Sequence, residues 1–173
     1  MQIDAIKAAI RDVPDFPQPG ILFKDITPVI ADAALFRACV DIFAERHAKN
    51  NIETVAAVDA RGFLFAGALC ERLDCGLVPI RKQGKLPYHT HERSYDLEYG
   101  TATLTIHKDA FPNGERVLLI DDLLATGGTA RAAVDLVEAA GGTLVEADFL
   151  VELAFLNGRS KLDGVPVYAP VVY

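Results

Sequence analysis

A chain of 173 residues, 51% of them apolar, is long enough to bury one sizeable α/β core and too short for a second, so a single domain over 1–173 is expected. The formal net charge of −7 excludes a broad basic face for nucleic acid, and no run approaches the ~18 apolar residues that a membrane helix needs. The N-terminus lacks the basic-then-apolar order of a signal peptide, and Cys39, Cys70 and Cys75 contain no Cys-x-x-Cys pair, so a soluble cytoplasmic protein with reduced thiols is expected.

In chain order, Ile3, Ile6 and Ile10 recur at helical spacing, and Pro14, Pro17 and Pro19 end that helix in a fixed, extended segment. Asp32 stands as an N-cap ahead of Leu35, Cys39, Ile42 and Phe43, one apolar stripe that predicts a helix to about residue 49. Residues 54–58 predict a buried strand, followed by Asp59-Ala60-Arg61-Gly62, a helix to about Leu73 and a second strand over 77–80. Residues 81–95 are charged, carry Gly84 and Pro87, and predict a long exposed loop. His89 and His91 within it have no further Cys or His to complete a metal site and read as exposed loop residues. Ala102, Leu104 and Ile106 alternate with threonines as a half-buried strand does. An apolar run over 117–120 predicts a buried strand, a polar glycine-containing turn follows, and Ala130, Ala133, Val134 and Val137 return to helical spacing before another strand over 144–153. Such alternation predicts an α/β fold, a mainly parallel sheet with helices on both faces.

The most informative stretch is Ile120-Asp121-Asp122-Leu123-Leu124-Ala125-Thr126-Gly127-Gly128-Thr129. In an open parallel sheet, ligands bind beyond the carboxyl ends of strands, where this turn falls. Backbone amides freed by the two glycines and continuing into a helix can surround a phosphate, with Thr126 and Thr129 adding hydroxyl donors. Two adjacent acids have no place in a pocket built only for phosphate; they suit sugar hydroxyls or a hydrated cation. The blander reading, in which the acids cap the turn and Gly-Gly merely closes it, leaves the order of strand, acids, threonines, glycines and helix unexplained. Neither G-x-x-x-x-G-K-[ST] nor G-x-G-x-x-G occurs, which disfavours a P-loop kinase and a Rossmann dehydrogenase.

That stretch resembles the phosphoribosyl pyrophosphate signature of the type I phosphoribosyltransferase family, in the form of its adenine-specific branch. The segments Phe16-Pro17-Gln18-Pro19-Gly20-Ile21-Leu22-Phe23-Lys24-Asp25-Ile26-Thr27-Pro28, Asp59-Ala60-Arg61-Gly62-Phe63, Arg81-Lys82-Gln83-Gly84-Lys85-Leu86-Pro87 and Ser94-Tyr95-Asp96-Leu97-Glu98-Tyr99-Gly100 resemble it too, in the same order. The resemblance implies the type I fold with a small hood, magnesium-dependent transfer of phosphoribose to adenine in purine salvage, and a homodimer. It implies that Asp121 and Asp122 face the ribose hydroxyls and that Ala125, Thr126, Gly127, Gly128 and Thr129 cradle the 5′-phosphate. It puts pyrophosphate on Asp59, Ala60 and Arg61, helped by Arg81, Lys82 and Lys85, in a loop that in this family often holds a strained non-proline peptide. Leu22, Phe23 and Lys24, within a base-binding segment over about 1–30, would meet adenine, with Leu123 on its other face. Glu98 would assist proton transfer at the imidazole edge. A mobile segment over about 83–100 would close over the substrate, with Tyr95 or Tyr99 covering the phosphates. Mg²⁺ would bind through substrate and water near Asp121 and Asp122, with no direct protein ligand assigned. Ala60 stands where many relatives have serine or glutamate; backbone donors can still serve there.

Two rivals remain on sequence grounds: an enzyme of the same fold acting on hypoxanthine, guanine or xanthine, and a non-catalytic regulator that keeps the loop as a sensor. The second needs an added domain or a basic face, and this chain has neither the length nor the charge.

Overall fold

The computed structural model describes residues 2–96 and 100–173; Leu97, Glu98 and Tyr99 lie outside the described residues. Two compact units divide the chain, Met1–Phe43 and Ala44–Tyr173.

In the first unit, α1 (Gln2–Ala9) buries Ile6, as the isoleucine spacing predicts. The segment after it is extended but also paired. β1 (Arg11–Pro14) and β2 (Leu22–Asp25) form an antiparallel hairpin, with Arg11 opposite Asp25 and Pro14 opposite Leu22. Between them the Phe16–Pro17 peptide is cis, and the Gly20 N–H donates to Asp15 Oδ1 at 2.8 Å. The Asp25 carboxylate accepts from the Thr27 N–H at the start of the short helix α2 (Thr27–Ala31). α3 (Ala33–His47) opens on the predicted cap, Asp32 Oδ1 accepting from the N–H groups of Ala34 and Leu35 at 2.9 and 3.0 Å.

The second unit alternates β3 (Thr54–Val58), α4 (Gly62–Leu73), β4 (Gly76–Lys82), β5 (Thr90–Asp96), β6 (Thr101–His107), β7 (Arg116–Leu124), α5 (Gly128–Ala139), β8 (Thr143–Glu152), β9 (Val167–Tyr168) and β10 (Val171–Val172). They form one sheet in the order β10-β8-β7-β3-β4-β6-β5, with β9 also on β8. The run from β10 to β4 is parallel, and β6 and β5 add an antiparallel ribbon. Ala56, Val58, Val117 and Leu119 share a core with Ala133, Val134 and Val137 of α5. The alternate residues Val55, Ala57, Leu118 and Ile120 are equally buried, and α4 packs on β3, β4 and β7.

Two expectations are corrected. The segment 81–95 is not one long loop: Arg81 and Lys82 end β4, and Thr90 to Asp96 pair with β6 over seven positions. β5 is an edge strand with one neighbour and mostly exposed side chains, so charged residues such as Glu92 and Arg93 erase the hydrophobic alternation that would mark it. β7 does not stop at Ile120 but continues through Asp121 to Leu124. Its last residues pair with β8 and no longer with β3, which leaves one flank open beside Asp121 and Asp122.

Within the second unit, which includes the last turn of α3 from Ala44 onward, a part-buried polar network ties Arg46 and His47 to β8. Arg46 donates to both oxygens of Glu146 at 2.7 Å and lies over the Tyr168 ring, while His47 Nε2 sits 2.8 Å from Asp148 Oδ2. Burial pushes the Asp148 carboxyl up, opposed by His47. Arg46→Ala is expected to leave Glu146 without its cation and to cost about 2 kcal/mol, discounted for the partial exposure of the arginine. Denaturant titration checks this; a loss under about 0.5 kcal/mol would make the pair a surface decoration.

Candidate active site

The parallel strands build the site by their order. From β3 the chain moves to β4 on one side, and later from β7 to β8 on the other, so β3 and β7 flank the point where the strand order reverses. Crevices outside the carboxyl ends of such strands take ligands. Here the crevice is open because β7 pairs with β3 only as far as Ile120, opposite Ala57, while β3 passes to the Asp59 loop. The cavity measures about 290 Å³ and is walled by Asp59, Ala60 and Arg61 after β3, and by Asp121 through Gly127 with Thr129 after the core of β7. Lys82 from β4, Tyr95 from β5 and Leu104 from β6 complete it.

Gly127 precedes α5 with φ +81, a left-handed conformation that suits glycine. The first turn of α5 then presents N–H groups that have no intrahelical acceptor. Gly62 allows α4 to start close to the β7 end: a Cβ there would lie 3.0 Å from the Ile120 carbonyl and 3.1 Å from Asp121 Oδ1. The Asp59–Ala60 peptide is cis, in the loop where a non-proline special peptide is expected.

Charge in the cavity is arranged as acids beside cations. Arg61 Nε lies 3.0 Å from Asp122 Oδ2, and the Asp122 N–H donates to Asp121 Oδ1 at 2.9 Å. Burial, then the neighbouring Asp122 charge, holds the Asp121 carboxyl well above the usual carboxylate range. Burial also raises Asp122, opposed first by Arg61. Burial disfavours the ionised form of both carboxyls, and hydroxyl donors or a cation beside them would favour it.

The structure gathers Asp59, Ala60, Arg61, Lys82, Tyr95, Asp121, Asp122, Leu123, Ala125, Thr126, Gly127 and Thr129 around one cavity. Arg81 and Lys85 lie outside its wall. Arg81 donates to Asp59 Oδ2 at 2.8 Å and to the Lys85 carbonyl at 3.1 Å, bracing the Asp59 loop against the turn after β4. Gly128 lines a second, smaller cavity with Tyr95, Asp96, Arg131 and Lys161. Leu22, Phe23 and Lys24 form β2 of the first unit, where Lys24 Nζ pairs with Asp12 and the Phe23 ring meets Phe16 edge-on at 5.1 Å. Glu98 and Tyr99 are outside the described residues. Leu104 escapes sequence reasoning, since it is one apolar residue of an alternating strand and only the register of β6 on β4 brings it to the cavity.

The phosphoribosyl transferase domain family matches residues 29–163. The chain is 53% identical over 167 residues to the adenine phosphoribosyltransferase of Methylacidiphilum infernorum, covering 96% of this chain and 93% of that one. It is 54% identical over 160 residues to that of Thermobifida fusca, covering 92% and 91%. Its fold superposes on the adenine phosphoribosyltransferase of Thermoanaerobacter pseudethanolicus with a TM-score of 0.95 at 49% identity, covering 99% of each chain. The Saccharomyces cerevisiae enzyme, complexed with an imino-altritol bisphosphate and adenine, gives a TM-score of 0.93 at 40% identity, covering 98% of each. With matches of this extent, the chain belongs to the phosphoribosyl transferase family, in its adenine phosphoribosyltransferase branch.

Proposed function

We propose that this chain joins adenine to the ribose of phosphoribosyl pyrophosphate, forming AMP and releasing pyrophosphate, as a pentosyltransferase of purine salvage. The observation that carries this is the single cavity shared by the paired acids Asp121 and Asp122, the cations Arg61 and Lys82, and the N-terminus of α5. A sugar carrying a 5′-phosphate at one end and a pyrophosphate at the other needs those three groups in one place.

In this reading, amides and hydroxyls from Ala125 to Thr129 bind the 5′-phosphate, and Asp121 and Asp122 accept from the ribose hydroxyls. Breaking the bond from C1 to pyrophosphate puts positive charge on the sugar and negative charge on the leaving group. Arg61 and Lys82 stabilise the latter, with Ala60 contributing backbone and Arg81 holding Asp59 in place. Lys85 joins the pyrophosphate from the turn after β4. The donor set fits Mg²⁺: two adjacent carboxyl groups at a water-accessible cavity offer the oxygen ligands of a hard cation that keeps part of its hydration. When bound with the substrate near Asp121 and Asp122, the ion supplies neutralisation of the pyrophosphate oxygens.

For the base, the family resemblance assigns adenine contacts to Leu22, Phe23 and Lys24 and to Leu123. An adenine site offers an acceptor to N6 and a donor to N1, and a 6-oxopurine presents the reverse at both atoms. Glu98 contacts the imidazole edge and assists loss of the ring proton, and the segment 83–100 excludes water, with Tyr95 already at the cavity wall. The enzyme works as a cytoplasmic homodimer. No helix among the described residues is long and apolar enough to cross a membrane.

The test is pyrophosphate release from phosphoribosyl pyrophosphate with adenine, hypoxanthine, guanine and xanthine in turn, with and without magnesium. Adenine is expected to be preferred by ~10⁴-fold, because a wrong base leaves buried polar groups unpaired. Faster turnover with any 6-oxopurine, or none with adenine, overturns the reading.

A further inference from the structure

We infer that Gly158, in the turn after β8, is a positioning residue for the 5′-phosphate loop; this rests on the assignment of that loop in the proposed function. The two segments meet backbone to backbone. A Cβ built on Gly127 would lie 2.3 Å from the Gly158 carbonyl oxygen, and one built on Gly158 would lie 2.3 Å from the Ala125 carbonyl oxygen and 3.1 Å from the Gly127 nitrogen. Neither collision involves a flexible side-chain end that could swing aside, so each glycine is required by the other's main chain.

The turn is itself held rigidly. Asn157 takes a left-handed conformation with φ 52, and its carbonyl accepts from Ser160 Oγ at 2.8 Å. Arg159 Nε and Nη2 grip the nearly buried Glu152 carboxylate at 2.7–2.9 Å, and its Nη1 donates to the Val167 carbonyl at 3.0 Å. Glu152 is the last residue of β8, paired with Leu124 at the end of β7. The sheet therefore positions the turn through Glu152 and Arg159, and the turn supports the loop through Gly158. A phosphate cradle made of main-chain N–H groups has no side chains with which to correct its own geometry, so its precision depends on what lies behind it. Gly158 is buried and sits outside the cavity wall, so it acts through Ala125 and Gly127 and not on the ligand.

The experiment compares AMP with adenosine on the purified full chain by calorimetry, since the ratio of the two affinities isolates the 5′-phosphate. Gly158→Ala is expected to lower that ratio by on the order of tenfold or more and to raise KM for phosphoribosyl pyrophosphate while kcat changes less. Arg159→Lys, which loosens the turn without adding an atom to the crowded contact, is expected to lower it by roughly threefold and keeps the test open if the alanine variant fails to fold. Gly67→Ala, at an exposed helix position with no atom within 4 Å of a new Cβ, is the control and should leave the ratio unchanged. AMP and adenosine weakening by the same factor, or both turn variants matching the parent, overturns the inference. A parent that does not prefer AMP to adenosine removes the phosphate assignment itself and this inference with it.

Discussion

Arg61→Ala is expected to lower kcat/KM for phosphoribosyl pyrophosphate by on the order of 10²–10³, the loss typical of one preorganised donor to developing charge. In the proposed function Arg61 has two tasks that compete for one guanidinium. It sits 3.0 Å from Asp122, offsetting the burial that raises that carboxyl, and in that proposal it also stabilises the departing pyrophosphate. Removing it withdraws both. The pH dependence separates them. In the proposed function Asp122 holds the ribose hydroxyls more strongly as the carboxylate, and without Arg61 its proton affinity rises further, so activity is expected to fall at a higher pH on the acid side than in the parent. Arg61→Lys keeps the charge but not the planar grip on two oxygens, and is expected to recover only part of the rate. A pH–rate profile of kcat/KM for the three proteins checks this. An unmoved acid limb with a rate within threefold of the parent would remove Arg61 from the chemistry.

Asp121→Asn is expected to abolish most turnover while making the ligand-free protein more stable. The physical ground is the buried like-charge pair: burial and Asp122 raise the Asp121 carboxyl well above its ordinary range. A group whose folded pKa is raised favours the fold below its unfolded pKa, and that contribution disappears as pH rises through the folded value. At neutral pH the charged pair therefore works against the fold. Asparagine removes the charge yet keeps the oxygen that accepts the Asp122 N–H. A gain of about 1 kcal/mol, or roughly 2–4 °C in Tm, is expected at neutral pH and little at acid pH, where the parent carboxyl is protonated. Thermal melts at the two pH values, beside an activity assay, decide it. A lower melting temperature at neutral pH would mean that Asp121 supports the fold and is not strained by it.

The legibility of this chain differs between its elements for reasons that can be named. β3 and α5 were readable because each buries a full face, and burial imposes its period on the residues: Thr54 to Val58 is unbroken, and α5 places Ala130, Ala133, Val134 and Val137 in the core. The Asp32 cap was readable because its carboxylate bonds within its own turn. β5 was not, since an exposed edge strand imposes no hydrophobic pattern, and neither was the hairpin of β1 and β2, whose four-residue strands have no fully buried residue. The extension of β7 through Asp121 to Leu124 was hidden because polar residues at a crevice look like a turn when the neighbouring strand is not known.

What the sequence by itself determined is the chemistry on offer: adjacent acids, a glycine-containing loop ahead of a helix, and a second loop with Arg61, each tied to the end of a buried strand. Local spacing suffices for that, because a strand, its turn and its helix are neighbours along the chain. Only the tertiary structure decided that the two loops face one another, because β3 and β7 pair residues 63 positions apart, Thr54 with Val117 to Ala57 with Ile120, and stop there, leaving the crevice open. It also set apart Arg81, which braces Asp59, from Lys82, which reaches the cavity, and it brought Gly158 behind Gly127. These are long-range packing outcomes, and a side chain's type carries no record of which distant backbone will lie against it.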